Sequence, residues 1–249
     1  MGDRHSRKLS YRAERCVSIH PAAMFDPTSL PKMKRILTAL RTNPPLPPGD
    51  RRLLTHFSPN LLEVKELYSE VQKLGLLETE EWFDFISELR LSAPWRNGIE
   101  RLSNIKEHDL GWLVHSGVAQ MMVSLLPWVG NLWVKCGQDG LLHLGIVDAA
   151  RDAKRAQAGV RHVEHASPND FKGFDIGNME QPVLRLSHYP PVKLGQIVSS
   201  TGAGDSLVGG ILAGVSKGLP VHETAQQGLD AARATLMSER AVGDVAGKA

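Results

Sequence analysis

The chain has 249 residues, of which 42% are hydrophobic, and this is enough to bury a large core in one or two domains. Its 29 basic and 27 acidic residues leave a formal net charge of +2, which excludes the strongly basic character of a typical nucleic-acid-binding protein. Two cysteines, Cys16 and Cys136, are too few for a disulfide framework and lack metal-ligand spacing, so we expect an intracellular, cytoplasmic protein.

Residues 1–22 form a basic segment without a regular pattern, and the folded domain is predicted to cover residues 23–249. No apolar run follows the basic residues, so a secretory signal is not expected. The least charged stretch, residues 111–134, is long enough to span a bilayer. We interpret it as a buried helix, a turn and a strand, because it is interrupted by side chains that are costly in lipid and by a proline: His115, Gln120, Asn131 and Pro127. A membrane is therefore not expected as a partner.

Strands and helices are predicted to alternate along the first part of the domain. A short strand ends before a turn at Asp26 and Pro27, and a helix follows with Ser29 as its N-cap. Apolar spacing then predicts a strand at 53–57, a helix that ends at Gly75, helices at 82–89 and 118–126, and strands at 132–134 and 141–144.

The later part of the domain begins with a polar stretch, residues 147–181, for which we expect an irregular insertion rather than core. Two short strands are predicted within 182–200, followed by a helix at 207–215 and a last helix at 225–236. Strands that alternate with helices predict an α/β fold, with a mainly parallel sheet covered on both faces.

The segment SSTGAGDS, residues 199–206, combines small residues with a single acid at the predicted start of a helix. The amide groups of Gly202, Ala203 and Gly204 are expected to converge on an anion, because a helix N-terminus carries partial positive charge. Asp205 would then stand beside a bound phosphate, where it can take a proton from an attacking hydroxyl. The alternative is a tight turn in which Asp205 only complements the helix dipole.

The helix after this segment is rich in glycine, at positions 209, 210 and 214. Each glycine costs roughly 1 kcal/mol relative to alanine inside a helix. We therefore expect another part of the protein to approach this helix closely.

Asn60 and Glu63 lie three residues apart at a predicted helix start, so their side chains point to the same side. An amide oxygen and a carboxylate in this arrangement can hold the water shell of Mg²⁺. The same spacing also fits a capping box, which is a purely structural device, and the sequence alone leaves both interpretations open.

Gly137 and Gly140 bracket a turn after a buried strand, which would let a nucleotide lie close to the backbone. A hairpin turn explains the two glycines equally well. Lys135 can reach a phosphate from this position, although a lysine at a strand end is more often simply solvated.

The motifs FDPTS, SPNLLE, VKCGQDG and TGAGDS, taken in this order, resemble those of the ribokinase-like (PfkB) carbohydrate kinases. Within that family, SLLPWVGNLWVKCG and HYPPV…VSSTGAGDS are most similar to segments of eukaryotic pseudouridine kinases. The resemblance covers about residues 25–244 and implies a ribokinase-like three-layer sandwich.

The resemblance also implies roles for individual residues. Asp205 matches the general base of the family, and residues 202–204 match its anion hole. AARATLMSERAVG matches the segment that closes over the adenine. The remaining matches are a pair that acts on Mg²⁺ and phosphate, Asn60 and Glu63, and a nucleotide-side set, Lys135, Gly137, Gly140 and Thr201.

Two features depart from the family pattern. Many members have Asp-Thr ahead of the motif, whereas this chain has Ser199 and Ser200, which argues against the family's monovalent cation site. The sugar-binding aspartate, the β-lid and the first strands of the family precede FDPTS, and none has a match in the residues before Phe25. We therefore expect a domain truncated at its N-terminus, without a lid. A homodimer or a partner chain is one way in which the missing part can be supplied.

The expected activity is transfer of the ATP γ-phosphoryl group, with Mg²⁺, to the 5′-hydroxyl of a ribosyl nucleoside, as in pseudouridine kinases. One alternative is a catalytically incompetent fragment that binds a nucleotide or a partner chain, because phosphoryl transfer depends on positioning of both substrates. Another is a ribose or adenosine kinase, which differs only in the acceptor.

Overall fold

The computed structural model describes residues 23–42, 54–104, 110–152, 160–165, 179–191, 194 and 197–240. The basic segment 1–22 and Cys16 lie outside the described residues. The strands are β1 (Met24–Phe25), β2 (Leu54–Phe57), β3 (Val129–Lys135), β4 (Leu141–Asp148), β5 (Arg161–His165) and β6 (Pro182–Tyr189). The helices are α1 (Leu30–Thr42), α2 (Leu61–Lys73), α3 (Glu80–Glu88), α4 (Ala93–Ser103), α5 (Trp112–His115), α6 (Val118–Leu125), α7 (Ala149–Asp152), α8 (Ala203–Ser216) and α9 (Val221–Leu236).

The six described strands form one sheet in the order β1-β2-β3-β4-β6-β5. The pairings β1–β2 and β2–β3 are parallel, and β3–β4, β4–β6 and β5–β6 are antiparallel. The α/β fold class is confirmed, but the sheet is mixed rather than mainly parallel. The short connection between β3 and β4 accounts for one of the three antiparallel pairings, since a turn of this length can join only antiparallel strands.

Helices cover both faces of the sheet, as predicted. Along β3, Leu132 and Val134 pack into one core cluster, whereas Trp133 between them packs into another. The first cluster also contains the buried apolar residues of α1 to α6, and the second is closed by α8 and α9. The period of two along the strand therefore divides the described part of the domain into three layers.

Several elements differ from those expected from the sequence. Residues 161–165 lie in the segment for which irregular structure is expected, but they form the edge strand β5. The described part of 182–200 contains one strand, β6, instead of two. Helix α4 has no counterpart among the predicted elements; it packs on β5, where a Cβ on Gly98 would collide with Val163.

Residues 111–134 form α5, α6 and β3, which agrees with the interpretation as buried helix and strand. Within the described ranges, no helix is long and apolar enough to cross a membrane.

Helices α8 and α9 approach each other at backbone distance. A Cβ added to Gly210 would lie 2.6 Å from the Gln227 carbonyl oxygen and 2.7 Å from Gly228 Cα. A Cβ on Gly214 would lie 2.9 Å from Thr224 Cα, whereas one on Gly209 would meet nothing within 4 Å. The predicted close approach to this helix is confirmed at Gly210 and Gly214, and α9 is the element that makes it.

Candidate active site

A cleft of about 560 Å³ opens where β3 ends and α8 begins. Its floor is the end of β3 with the turn that follows, and its walls are the segment after β6, the first turn of α8 and one side of α9. The lining residues are Lys135, Gly137, Gln138, Gly140, Pro191, Leu194, Ile197, Ser200, Ala203, Gly204, Leu207, Leu229, Ala232, Arg233 and Leu236.

The start of α8 presents unpaired amide groups beside this cleft. Gly202 is the N-cap residue and adopts the left-handed conformation, with φ 79°, which favours glycine. The Ala203 N–H donates to the Ser200 carbonyl at 3.4 Å, and among the described residues the amides of Gly204 and Asp205 have no acceptor. Because Gly202 has no side chain to cap the helix, these donors remain available to an anion.

Asp205 lies in the first turn of α8, one residue beyond Gly204, and its side chain is exposed. No described residue bonds or pairs with its carboxylate. Thr201 is also exposed and does not line the cleft; its N–H donates to Ser199 Oγ at 3.2 Å. Asp205 does not line the cleft either, but it directly follows Gly204, which does. Its carboxylate therefore has no protein partner at the rim of the cleft, whereas Thr201 contributes to the local turn.

Lys135 is not the solvated lysine that its place at a strand end suggests. Its ammonium group lies 2.6 Å from Asp26 Oδ1, and only 17% of its side chain is exposed. Its Cδ lies 4.0 Å from the position that a Cβ on Gly204 would take, so the side chain passes the start of α8. Asp26, in the FDPTS motif, is a site residue that the sequence analysis did not single out.

The turn between β3 and β4 is both a hairpin and part of the cleft. Gly137 and Gly140 have φ values of 60° and 90°, and a Cβ on Gly140 would collide with the Tyr189 carbonyl oxygen. The ring Nε2 of His188 lies 2.6 Å from the Asp139 carbonyl oxygen. The backbone conformation therefore favours glycine at both positions. Because glycine has no side chain, the floor of the cleft at Gly137 and Gly140 is formed by backbone alone.

Asn60 and Glu63 form a complete capping box at the start of α2. Asn60 Oδ1 accepts from the Glu63 N–H at 2.9 Å, and Glu63 Oε2 accepts from the Asn60 N–H at 2.8 Å. Neither residue lines the cleft, but Asn60 is bridged to Lys135, whose N–H donates to the Pro59 carbonyl. The pair therefore lies next to the strand end that carries Lys135.

The capping role leaves oxygen atoms that suit Mg²⁺. Glu63 Oε1 has no hydrogen-bond partner among the described residues, and a carbonyl oxygen such as Asn60 Oδ1 can accept a second bond. Mg²⁺ prefers oxygen ligands and keeps several of its waters, so this pair fits an ion held through water. The described residues contain no group of three or more His, Cys, Asp or Glu side chains that could hold a metal.

Helix α9 supplies the wall opposite the start of α8. Its Leu236 carbonyl oxygen accepts from the Val198 N–H at 2.8 Å, and Ser206 Oγ lies 2.7 Å from Thr235 Oγ1. Arg233, which the sequence analysis also did not single out, is exposed on this wall. Among the described residues that line the cleft, Lys135 and Arg233 are charged and none carries a carboxylate, so this lining favours an anionic ligand.

Two histidines beside the buried Trp133 are held neutral. Burial lowers the pKa of His143 to about 3, with the nearby charges of His56 and Arg185 adding to the effect. Burial also lowers the pKa of His56 to about 4, and its Nδ1 accepts from Trp133 Nε1 at 3.1 Å. Burial raises the pKa of the Cys136 thiol to about 12, so this cysteine is unreactive at neutral pH. None of these three side chains lines the cleft.

The profile of the pfkB family carbohydrate kinases matches residues 185–245, the segment that contains α8, α9 and most of β6. The chain is 24% identical over 214 residues to a pseudouridine-metabolizing bifunctional protein of Schizosaccharomyces pombe, which covers 86% of this chain and 25% of that protein. It is 36% identical over 73 residues to the pseudouridine kinase of Arabidopsis thaliana, which covers 29% of this chain and 18% of that enzyme. The resemblance to PfkB carbohydrate kinases that the motifs predict is confirmed.

A solved structure, the adenosine kinase of Sinorhizobium meliloti, aligns with a TM-score of 0.45 at 14% identity and covers 90% of this chain and 42% of that chain. The chain thus spans about a quarter of the length of the S. pombe protein and less than half of the adenosine kinase.

Proposed function

We propose that this chain carries the nucleotide-binding and phosphoryl-transfer site of an ATP-dependent kinase, with the 5′-hydroxyl of a ribosyl nucleoside as acceptor. The observation that carries the proposal is the start of α8, where Gly204, with an unpaired amide, and the Lys135 side chain line one cleft and an exposed acid, Asp205, directly follows Gly204. This combination suits a transferring phosphoryl group and an attacking hydroxyl. The alternative, a tight turn in which the acid only complements the helix dipole, explains Asp205 but not the unpaired amides or the position of Lys135.

In this mechanism the nucleotide occupies the cleft, with its phosphates towards α8. The amides of Gly204 and Asp205 and the Lys135 ammonium stabilise the negative charge of the transferring phosphoryl group. Asp205 accepts the proton of the acceptor hydroxyl while the oxygen attacks the γ-phosphorus. The bond from that phosphorus to the β–γ bridging oxygen breaks, and ADP leaves.

Asn60 and Glu63 are the residues that would hold Mg²⁺ through its water shell. When bound, the ion neutralises charge on the phosphates. The capping box keeps the buried Glu63 carboxylate in place, because Oε2 accepts from the Asn60 backbone N–H while Oε1 has no partner among the described residues.

The acceptor is proposed as pseudouridine because the S. pombe and Arabidopsis relatives are named for pseudouridine metabolism and pseudouridine kinase. Other nucleosides and ribose are the competing acceptors. A cytidine kinase of Thermococcus kodakarensis is 48% identical over 46 residues, so similarity over a short segment does not by itself select the acceptor.

The test is product formation by the purified chain with ATP, Mg²⁺ and a panel of pseudouridine, uridine, cytidine, adenosine and ribose. We expect a nucleoside monophosphate from pseudouridine, and Asp205→Asn should lower turnover by about 10²–10⁴-fold with ATP affinity nearly unchanged. Asp230→Asn is the matched control, since Asp230 is exposed on α9 and outside the cleft.

Three outcomes would contradict parts of this proposal. Unchanged turnover of Asp205→Asn would contradict the assignment of Asp205 as the general base. Nucleotide binding without any product would favour the non-catalytic alternative. Product from ribose or adenosine in preference to pseudouridine would keep the chemistry and change the acceptor.

A further inference from the structure

Asp26 and Lys135 form an ion pair across the carboxyl ends of the parallel strands. Asp26 directly follows β1, Lys135 ends β3, and the Lys135 Nζ to Asp26 Oδ1 distance is 2.6 Å. Only 14% of the Asp26 side chain and 17% of the Lys135 side chain are exposed. A pair with so little exposure has a larger desolvation cost than a surface pair. A further interaction at this place is therefore needed to explain why the two charges are held there.

The position of Lys135 is unfavourable without a negative charge nearby. Its Cδ lies 4.0 Å from where a Cβ on Gly204 would be, so the ammonium group is held close to the start of α8. A helix N-terminus carries partial positive charge and repels a cation. Asp26 offsets this repulsion and takes one of the three N–H donors of the ammonium group, and the others have no partner among the described residues.

The loop that carries Asp26 is held in a strained conformation. Thr28 has φ 51°, in the left-handed region that a β-branched residue rarely adopts. The Ser29 N–H donates to the Pro27 carbonyl at 2.6 Å, and Lys32 Nζ donates to Thr28 Oγ1 at 3.0 Å. Strain of this kind persists where the surrounding structure maintains it, and it clusters at functional sites.

We propose that Asp26 is a positioning residue that acts through Lys135, holding the lysine at the start of α8 to bind the terminal phosphate of the nucleotide. This inference rests on the proposed function, because it assumes that a nucleotide occupies the cleft. A phosphate at the start of α8 brings a second negative charge to an ammonium group that Asp26 already neutralises in part. Lys135 therefore contributes most to the ligand with the most phosphate charge at that end.

The test is calorimetric titration of the chain with AMP, ADP and a non-hydrolysable ATP analogue, all with Mg²⁺. Lys135→Met should lower affinity for the ATP analogue by about 10- to 100-fold and leave AMP affinity within about twofold. Asp26→Ala should lower affinity for the ATP analogue by about 3- to 10-fold. Adding Asp26→Ala to Lys135→Met should cause no further loss, because the acid then has no lysine to position.

The controls separate this role from folding. Glu70 and Lys73 form a pair of similar length, 2.7 Å, on the surface of α2, so Lys73→Met and Glu70→Ala should leave all three affinities unchanged. Asp26→Asn keeps the side-chain volume and one acceptor oxygen, and it replaces the alanine variant if that variant does not fold. It should lower affinity for the ATP analogue less than Asp26→Ala does.

An equal loss of affinity for AMP, ADP and the ATP analogue in Asp26→Ala would overturn the inference, since a general structural role predicts it. A further loss in the double variant would also overturn it, because Asp26 would then act independently of Lys135. If Lys135→Met leaves the preference for the ATP analogue over AMP unchanged, the phosphate-binding role of Lys135 is contradicted both here and in the proposed mechanism. The nucleotide site of the proposed function would still stand in that case, because the chain would still bind nucleotide. Failure to bind any of the three nucleotides would contradict the proposed function as well.

Discussion

Replacing Gly210 with alanine should destabilise the protein, whereas the same change at the adjacent Gly209 should stabilise it. Both glycines lie inside α8, so alanine improves helix propensity equally at the two positions, by roughly 1 kcal/mol. The surroundings differ. A Cβ on Gly210 would lie 2.6 Å and 2.7 Å from backbone atoms of α9, and one on Gly209 would meet nothing within 4 Å.

The magnitude follows from what must move. Real Cβ atoms do not approach backbone atoms this closely, so α9 would have to shift away from α8, and overpacking of this kind costs about 1–3 kcal/mol. Subtracting the propensity gain leaves a net destabilisation of up to about 2 kcal/mol for Gly210→Ala. The free energies of unfolding of the two variants should then differ by about 1–3 kcal/mol.

Urea unfolding followed by circular dichroism measures this difference, and a nucleotide titration shows whether it reaches the site. The Gly210 variant should bind ADP more weakly, because α9 carries one wall of the cleft, while the Gly209 variant should bind it as the parent chain does. Equal stability of the two variants would refute the idea that backbone contact between α8 and α9 sets the position of that wall.

Two further predictions concern Glu63 and the buried histidines. Glu63→Gln should leave stability within about 0.5 kcal/mol, because glutamine also completes a capping box, but it should raise the Mg²⁺ concentration needed for ATP binding. Glu63→Ala should in addition lower the free energy of unfolding by about 1 kcal/mol, because it removes the cap. An unaltered magnesium titration in both variants would mean that Glu63 has only the structural capping role. The pKa values of His143 and His56 are lowered from 6.5 to about 3 and about 4, so between about pH 6.5 and pH 4 the unfolded chain binds more protons than the folded one. Stability should therefore be complete above about pH 6.5 and fall by up to about 1.4 kcal/mol per histidine for each pH unit below it. Unfolding curves at several pH values check this, His143→Gln should reduce the slope, and a flat profile would contradict it.

The parts of the fold that the sequence predicts are those with a strong local signal. The helix stop at Gly75 has the left-handed backbone that a helix end requires, with φ 69°. The glycines of α8 predict a close neighbour without saying which one, and the neighbour is the next helix. Both predictions depend on the backbone chemistry of single residues, which tertiary structure rarely overrides.

The elements that the sequence does not predict depend on tertiary contacts. In β5 only Val163 is buried, so the alternation of apolar and polar residues that identifies a strand depends on a single apolar residue in a polar segment. Helix α4 contains Pro94 and Gly98, which lower its propensity, and it is stabilised by packing against β5. Each of these two elements supports the other, and neither is recognisable alone.

The ion pair of Asp26 and Lys135 could not be predicted from the sequence for a different reason. The sequence places each residue at the end of a strand, but their contact depends on the order β1-β2-β3, which local patterns do not fix. Ligand sites form at the carboxyl ends of parallel strands because those ends converge on one edge of the sheet. An acid after one such strand and a lysine at the end of another are therefore candidates for a shared site even when they are distant in sequence.

The two interpretations of Asn60 and Glu63 are compatible, because they use different oxygen atoms. The cap occupies Glu63 Oε2 and fixes the carboxylate against the first turn of α2. A carboxylate fixed in this way loses no further side-chain entropy when Oε1 accepts a bond from a water on Mg²⁺. The cap therefore prepares the carboxylate for the ion, and the glutamine and alanine variants of Glu63 separate the two contributions because only alanine removes the cap.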